Sequence, residues 1–140
     1  KPPNMKTAVR HVKKEKPLNL KHYINWFEIP AYSFERAVGF YSHIYGIKMD
    51  STEANGYSMA FFPAKGGIGG AIVVGEGCVP NTTGPLLYLN GGKDLNVVLS
   101  KVEEAGGRVI MAKTLINEAV GHFALFMDTE GNRLALHSKA

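Results

Sequence analysis

Apolar positions along the chain fall into two runs of the same design. From Ser33, the stretch SFERAVGFYSHIYG sets Phe34, Ala37, Val38, Tyr41, Ile44 and Tyr45 on one stripe of a 3.6-residue period. That stripe predicts an amphipathic helix. Ser33 supplies an N-cap oxygen, and Gly46 suits the left-handed residue that ends a helix. The pattern recurs 61 residues later in DLNVVLSKVEEAGG. There Asp94 stands for Ser33, Leu95 for Phe34, Val98 for Ala37, Leu99 for Val38, Val102 for Tyr41 and Gly107 for Gly46. A second helix of equal length is therefore predicted.

The flanks repeat as well. Short apolar strands precede the helices at 23–29 and 85–90, and further strands follow at 47–50 and 108–112. Each half then closes with a hairpin, at 57–63 with 69–75 and at 122–128 with 133–138. Gly131, in the tight turn Asp128-Thr129-Glu130-Gly131, suits a left-handed position. The predicted fold class is α+β: two pseudo-symmetric βαβββ modules forming an incomplete barrel around a cleft. Module 1 covers 22–75, a Pro/Asn/Thr/Gly-bearing linker 76–84, and module 2 85–138, all within one domain at 22–140.

Composition narrows the class of protein. No run of about 18 apolar residues is present, so no membrane span is expected. A lone cysteine, Cys78, makes no internal disulfide and fits a reducing compartment, so a cytoplasmic location is expected. The net charge of +4 raises the question of nucleic acid. Its distribution argues against that partner, although a basic arm remains the route by which nucleic acid would associate. Residues 1–21 carry seven Lys or Arg against one Glu, whereas the remainder carries nine basic against eleven acidic residues. The high pI thus belongs to a basic extension at 1–21, and the folded body is slightly acidic.

Several stretches carry a family likeness. FEIPAYSFERAVGFYSHIYGIKM resembles the first module of the vicinal oxygen chelate superfamily, which includes glyoxalase I, bleomycin-resistance proteins and extradiol dioxygenases. LSKVEEAGGRVIMAK and FALFMDTEGNRLALHS resemble its second module, down to the D-x-x-G-N hairpin. The likeness spans about 22–138. It implies a cleft for a small molecule, frequent homodimers, and, in metal-dependent members, four His or Glu ligands that hold a Lewis-acid cation.

Carried onto this chain, those four positions fall on Trp26, Leu87, Ala135 and Val73, with Ala71 as the alternative to Val73. None of these side chains donates to a divalent metal. The expectation is a cleft without metal or other cofactor. It would grip an aromatic or hydrophobic molecule on Trp26, with Glu28 fixing orientation. Strand alternation adds His22 to the face of Trp26 and Glu28, and His137 to the face of Ala135. A second reading therefore joins Glu28, His22 and His137 as a displaced metal site, or makes Glu28 the base of a glyoxalase-type lyase or isomerase. The apolar strands 69–75 and 85–90 are expected to pair copies in a homodimer.

Overall fold

The computed structural model describes residues 15–140. Of the basic extension read over 1–21, residues 1–14 lie outside the described residues, and 15–25 are exposed without helix or strand. No helix among the described residues is long and apolar enough to cross a membrane.

Module 1 runs β1 (Trp26–Pro30), α1 (Phe34–Tyr45), β2 (Asp50–Ala54), β3 (Tyr57–Phe61) and β4 (Gly69–Val74). Module 2 runs β5 (Tyr88–Asn90), α2 (Asn96–Leu99), β6 (Arg108–Asn117), β7 (Gly121–Met127) and β8 (Arg133–Ser138). The two sheets have the same order, β1-β4-β3-β2 and β5-β8-β7-β6. In each, the first strand lies parallel to the last, as a crossover helix requires, and the other pairs are antiparallel. No barrel closes. The duplicated α+β architecture stands as expected.

α1 forms as its pattern predicts. The Ser33 hydroxyl accepts from the Arg36 N–H, Gly46 takes φ +62°, and the N–H of Ile47 returns to the Ser42 carbonyl. Its burial is wider than one stripe. Phe40, which the stripe leaves out, is 1% exposed and packs on Phe126 and over Gly107. A β-carbon at Gly107 would lie 2.7 Å from the Phe40 ring. The helix is thus wedged between its own sheet and module 2, and one apolar cluster runs from Ile29 and Ile72 through Phe40 to Phe126 and Leu136.

The second helix departs from prediction. Regular α-helix covers only Asn96–Leu99. The chain to Gly106 then winds partly through i→i+3 bonds, as in Lys101 to Val98 and Val102 to Leu99. The β-branched Val97, Val98 and Val102 are weak helix formers, and the tighter winding still buries Leu95, Val98, Leu99 and Val102. The left-handed stop is Gly106 (φ +101°), one residue before the predicted Gly107. β4 lies inside its sheet between β1 and β3, so strand 69–75 has no free edge to pair with another copy; β5 is an edge.

Candidate functional site

Ladder register fixes which side chains share a face. On the first sheet, Glu28 pairs with Ala71, which pairs with Phe61, and Trp26 pairs with Gly69. These point away from α1, while Ile29, Ile72 and Ala60 point towards it and are buried. Trp26 is 46% exposed, lies over Gly69 and packs against Phe61 with ring centroids 6.1 Å apart. A β-carbon at Gly69 would come within 2.9 Å of the indole, so glycine there is what lets the ring lie down. The Trp26 indole N–H donates to Glu28 Oε2 at 3.2 Å. Ala71 and Val73 form the buried floor beside this pair.

The second sheet shows a similar face. Tyr88 pairs with Ala135, which pairs with Leu125, and Asn90 pairs with His137, which pairs with Phe123. Tyr88 is 54% exposed and tilts against Phe123 at 6.3 Å. His137 Nε2 lies 2.7 Å from the Val120 carbonyl, at the edge of a cleft of about 550 Å³ bordered by Tyr88, Asn90, Ile116 and Val120. A smaller cavity of about 220 Å³ opens where β1 meets the linker and the start of β8, and Glu28 and Leu87 line it.

The predicted site residues are therefore only partly together. Trp26 and Glu28 share an exposed face, but His22 precedes β1 in irregular chain, so strand alternation does not extend to it. Glu28 and His137 border different cavities. Among the described residues no three His, Cys, Asp or Glu side chains gather closely enough to hold a metal. Leu87 is one register off. It packs against the core on the side of Leu89, and Tyr88 takes the outward position. The reason is an inserted residue. The strand ends Pro30 and Asn90 occupy equivalent rungs, beside Val73 and His137, and lie 60 residues apart, whereas the helix stripes lie 61 apart. The turn Gly91-Gly92-Lys93 is longer than Ala31-Tyr32, and a one-residue slip flips every side chain in a strand. The counterpart of Trp26 is thus Leu86, and that of Ala135 is Ala71, which pairs with β1 as Ala135 pairs with β5. Of the phenylalanines in and beside the strands, Phe61 and Phe123 reach the outward faces, whereas Phe62 and Phe126 belong to the core.

Sequence reasoning missed the polar seam between modules. Glu130, with its side chain fully buried, accepts from the backbone N–H groups of Tyr32 and Ser33 at 2.9 and 2.7 Å and from Arg36 Nε at 2.7 Å. It sits at the N-terminus of α1, where backbone N–H groups and the helix dipole favour an anion. Burial alone would push its carboxyl up, but Arg36, these N–H groups and the Thr129 hydroxyl hold it down at about 2. Asp128 accepts from Tyr41 Oη at 2.7 Å and from the N–H groups of Glu130 and Asn132. Burial, then Asp128, raises Tyr41 well above the usual phenol range, so it stays a donor. Asn132 Nδ2 reaches the Pro30 carbonyl at 2.7 Å. This turn is a clasp.

Two four-stranded sheets of this order, each with its crossover segment, define the vicinal oxygen chelate fold. Maize (Zea mays) glyoxalase I shares it with a TM-score of 0.63 at 15% identity, over 83% of this chain and 44% of that one, so the chain spans somewhat less than half of that enzyme. An antibiotic-binding protein of Streptomyces sp. CB03234 shares it at 0.58 and 20% identity, over 89% of this chain and 100% of that one. No protein-family model matches. A glyoxylase-like domain-containing protein of Didymella fabae is 34% identical over 122 residues, covering 81% of this chain and 91% of that protein. The chain belongs to this glyoxalase-like family. The divalent metal that the superfamily implies does not fit the residues present, because Trp26, Leu86, Ala71 and Ala135 bring no donor to the four positions.

Proposed function

We propose that the chain binds a small planar, hydrophobic molecule on the outward face of the first sheet, without metal. Trp26 is the stacking platform and Glu28 orients the ligand. The observation that carries this reading is a half-exposed indole laid over Gly69 and braced by Phe61 at the place where the superfamily keeps a metal ligand. An exposed indole already held flat loses little freedom on stacking and keeps one polar handle. The antibiotic-binding relative in fold supports ligand capture as a use for such a face. The alternative lyase or isomerase reading is left with Glu28 as its one acid/base group, since His22 and His137 stand elsewhere. A homodimer would shelter Trp26 and Tyr88, two large aromatics that a single copy leaves open to water.

Titration of the single tryptophan's fluorescence with planar aromatic compounds tests the reading. Saturable quenching in chelator-treated protein is expected, and a flat response across ligand classes would count against it. Elemental analysis of protein purified without chelator is expected to find no stoichiometric Zn, Ni, Mn or Fe; a full equivalent of any of them would overturn the metal-free reading.

A further inference from the structure

The small cavity beside β1 holds two opposite charges that do not meet. Its walls include Glu28, Pro30, Pro85, Leu87, Arg133 and Leu134, and it encloses about 220 Å³. Among the described residues, the ion pairs join Arg36 to Glu130, His43 to Glu104 and Lys113 to Asp94. Arg133 and Glu28 are in none of them. Arg133 Nε is buried without a hydrogen-bond partner among the described residues. Buried N–H groups left without an acceptor are rare in folded proteins, and each calls for a reason. Glu28, for its part, accepts only the long bond from Trp26 among the described residues, so most of its acceptor capacity is open. A second arginine stands on the same cross-strand row: Arg108 pairs with Met127, which pairs with Arg133, and the Arg108 guanidinium rests 3.4 Å from the Met127 sulfur rather than on a carboxylate. Of the three described arginines, only Arg36 is paired with an acid.

We propose that this cavity is a binding site for a small zwitterion of the α-amino acid class with an apolar side chain. The carboxylate lies on the Arg133 guanidinium and the ammonium on Glu28. The side chain packs against Pro30, Pro85, Leu87 and Leu134. A neutral apolar guest would leave the Arg133 guanidinium without an acid, a simple anion would face Glu28, and a simple cation would face Arg133. Only a guest carrying both signs satisfies both walls. The guanidinium fork matches a carboxylate in two-point geometry, which a lysine would not. The volume holds about seven waters at roughly 30 Å³ each, which suits one small molecule. This site shares Glu28 with the stacking platform and rests on Glu28 serving a ligand. It differs from that platform in demanding charge rather than a flat ring.

Calorimetric titration of the full chain with L-leucine, with isoamylamine, which lacks the carboxylate, and with 4-methylpentanoate, which lacks the amine, tests the assignment. Leucine is expected to bind about tenfold or more tightly than either analogue, because a site built for two polar groups rejects guests lacking one. Arg133→Gln is expected to weaken leucine and 4-methylpentanoate about tenfold while leaving isoamylamine unchanged, and Glu28→Gln is expected to show the mirror pattern. A merely misfolded variant would lose all three ligands alike, so this crossed pattern is specific to the site. Trp26 emission gives a second readout, since an ammonium at Glu28 competes for the indole N–H's acceptor. Equal affinity for all three compounds, or leucine binding that survives Arg133→Gln, overturns the zwitterion site. If neutral aromatics quench Trp26 and leucine leaves calorimeter and fluorescence silent, the charged site falls while the stacking platform stands; leucine binding without response to neutral aromatics has the reverse meaning.

Discussion

The seam between the modules and the outward faces of the sheets use opposite chemistry. The seam is buried yet polar: Glu130, Asp128 and Asn132 are each at most 6% exposed, and each makes several hydrogen bonds. The faces are open yet greasy, with Trp26 and Tyr88 about half exposed. Buried polar groups are tolerated when fully satisfied, and then they fix one geometry. Exposed aromatics add little to folding and are available for something else. The contrast teaches that the clasp specifies how two halves dock, whereas the faces keep aromatic surface that the packing between the halves does not use.

The sharpest way to break the comparison is to empty the clasp. Asp128 accepts four hydrogen bonds, from Tyr41, the backbone of Glu130, and both the backbone and side chain of Asn132. Asp128→Ala leaves those donors enclosed without an acceptor, at about 1–3 kcal/mol for each that water cannot reach. A loss of about 4 kcal/mol is expected in urea unfolding, among the largest for a single change. A loss under about 1 kcal/mol would mean that water replaces the carboxylate and that the seam is not closed.

Glu130 tests the same seam by pH. Its carboxyl is held at about 2, below its ordinary 4.5, so it stabilises the fold fully above pH 4.5. That contribution drains away as pH falls from 4.5 towards 2, where the folded form also takes up its proton. Denaturant midpoints measured across this window are expected to fall with acid in the native chain. Glu130→Gln is expected to flatten that part of the slope and to cost about 3 kcal/mol at neutral pH, because Arg36 and two backbone N–H groups lose an anion. An unchanged slope would place the acid sensitivity on other carboxylates.

Next in size is the turn that presents these groups. Gly131 takes φ +97°, and nothing lies within 4 Å of a β-carbon built there, so Gly131→Ala meets backbone strain alone. About 1 kcal/mol is expected, read as a shift in thermal midpoint. A cost near that of Asp128→Ala would show that the turn's shape, rather than its acceptors, holds the modules together.

The architecture was legible because duplication wrote it twice. Ser33 and Gly46 cap the first helix where the pattern puts them, and β8 runs Arg133–Ser138, the range expected for the closing strand of the second hairpin. What escaped had local causes. The single residue added at Gly91–Lys93 shifted the second strand's register, so an offset true for Tyr41 and Val102 was false for Trp26 and Leu87. Phe40 fell outside the stripe because a helix wedged between two modules buries two sides, and one period describes only one. Glu130 stands in the tight turn of the second hairpin. Nothing local shows that a carboxylate in module 2 will reach the first turn of a helix 94 residues earlier. The outward position of Trp26 and Glu28 was readable from strand parity. Their separation from His137 needed the fold.

The smallest expected effect on stability bears most directly on the faces. Trp26 packs on Phe61 and lies over Gly69, but it stands outside the shared core cluster and is half open to water. Trp26→Ala removes an exposed contact rather than a buried one, and a shift within about 0.5 kcal/mol is expected. Ligand affinity is expected to drop by about tenfold or more in the same variant, since base or ring stacking on an indole contributes on that scale. The paired measurement separates the two regions: clasp variants lower the denaturant midpoint and spare affinity in the folded protein, whereas Trp26→Ala does the reverse. A Trp26→Ala chain that loses several kcal/mol would place the indole in the folding core and remove the exposed platform on which the proposed ligand capture depends.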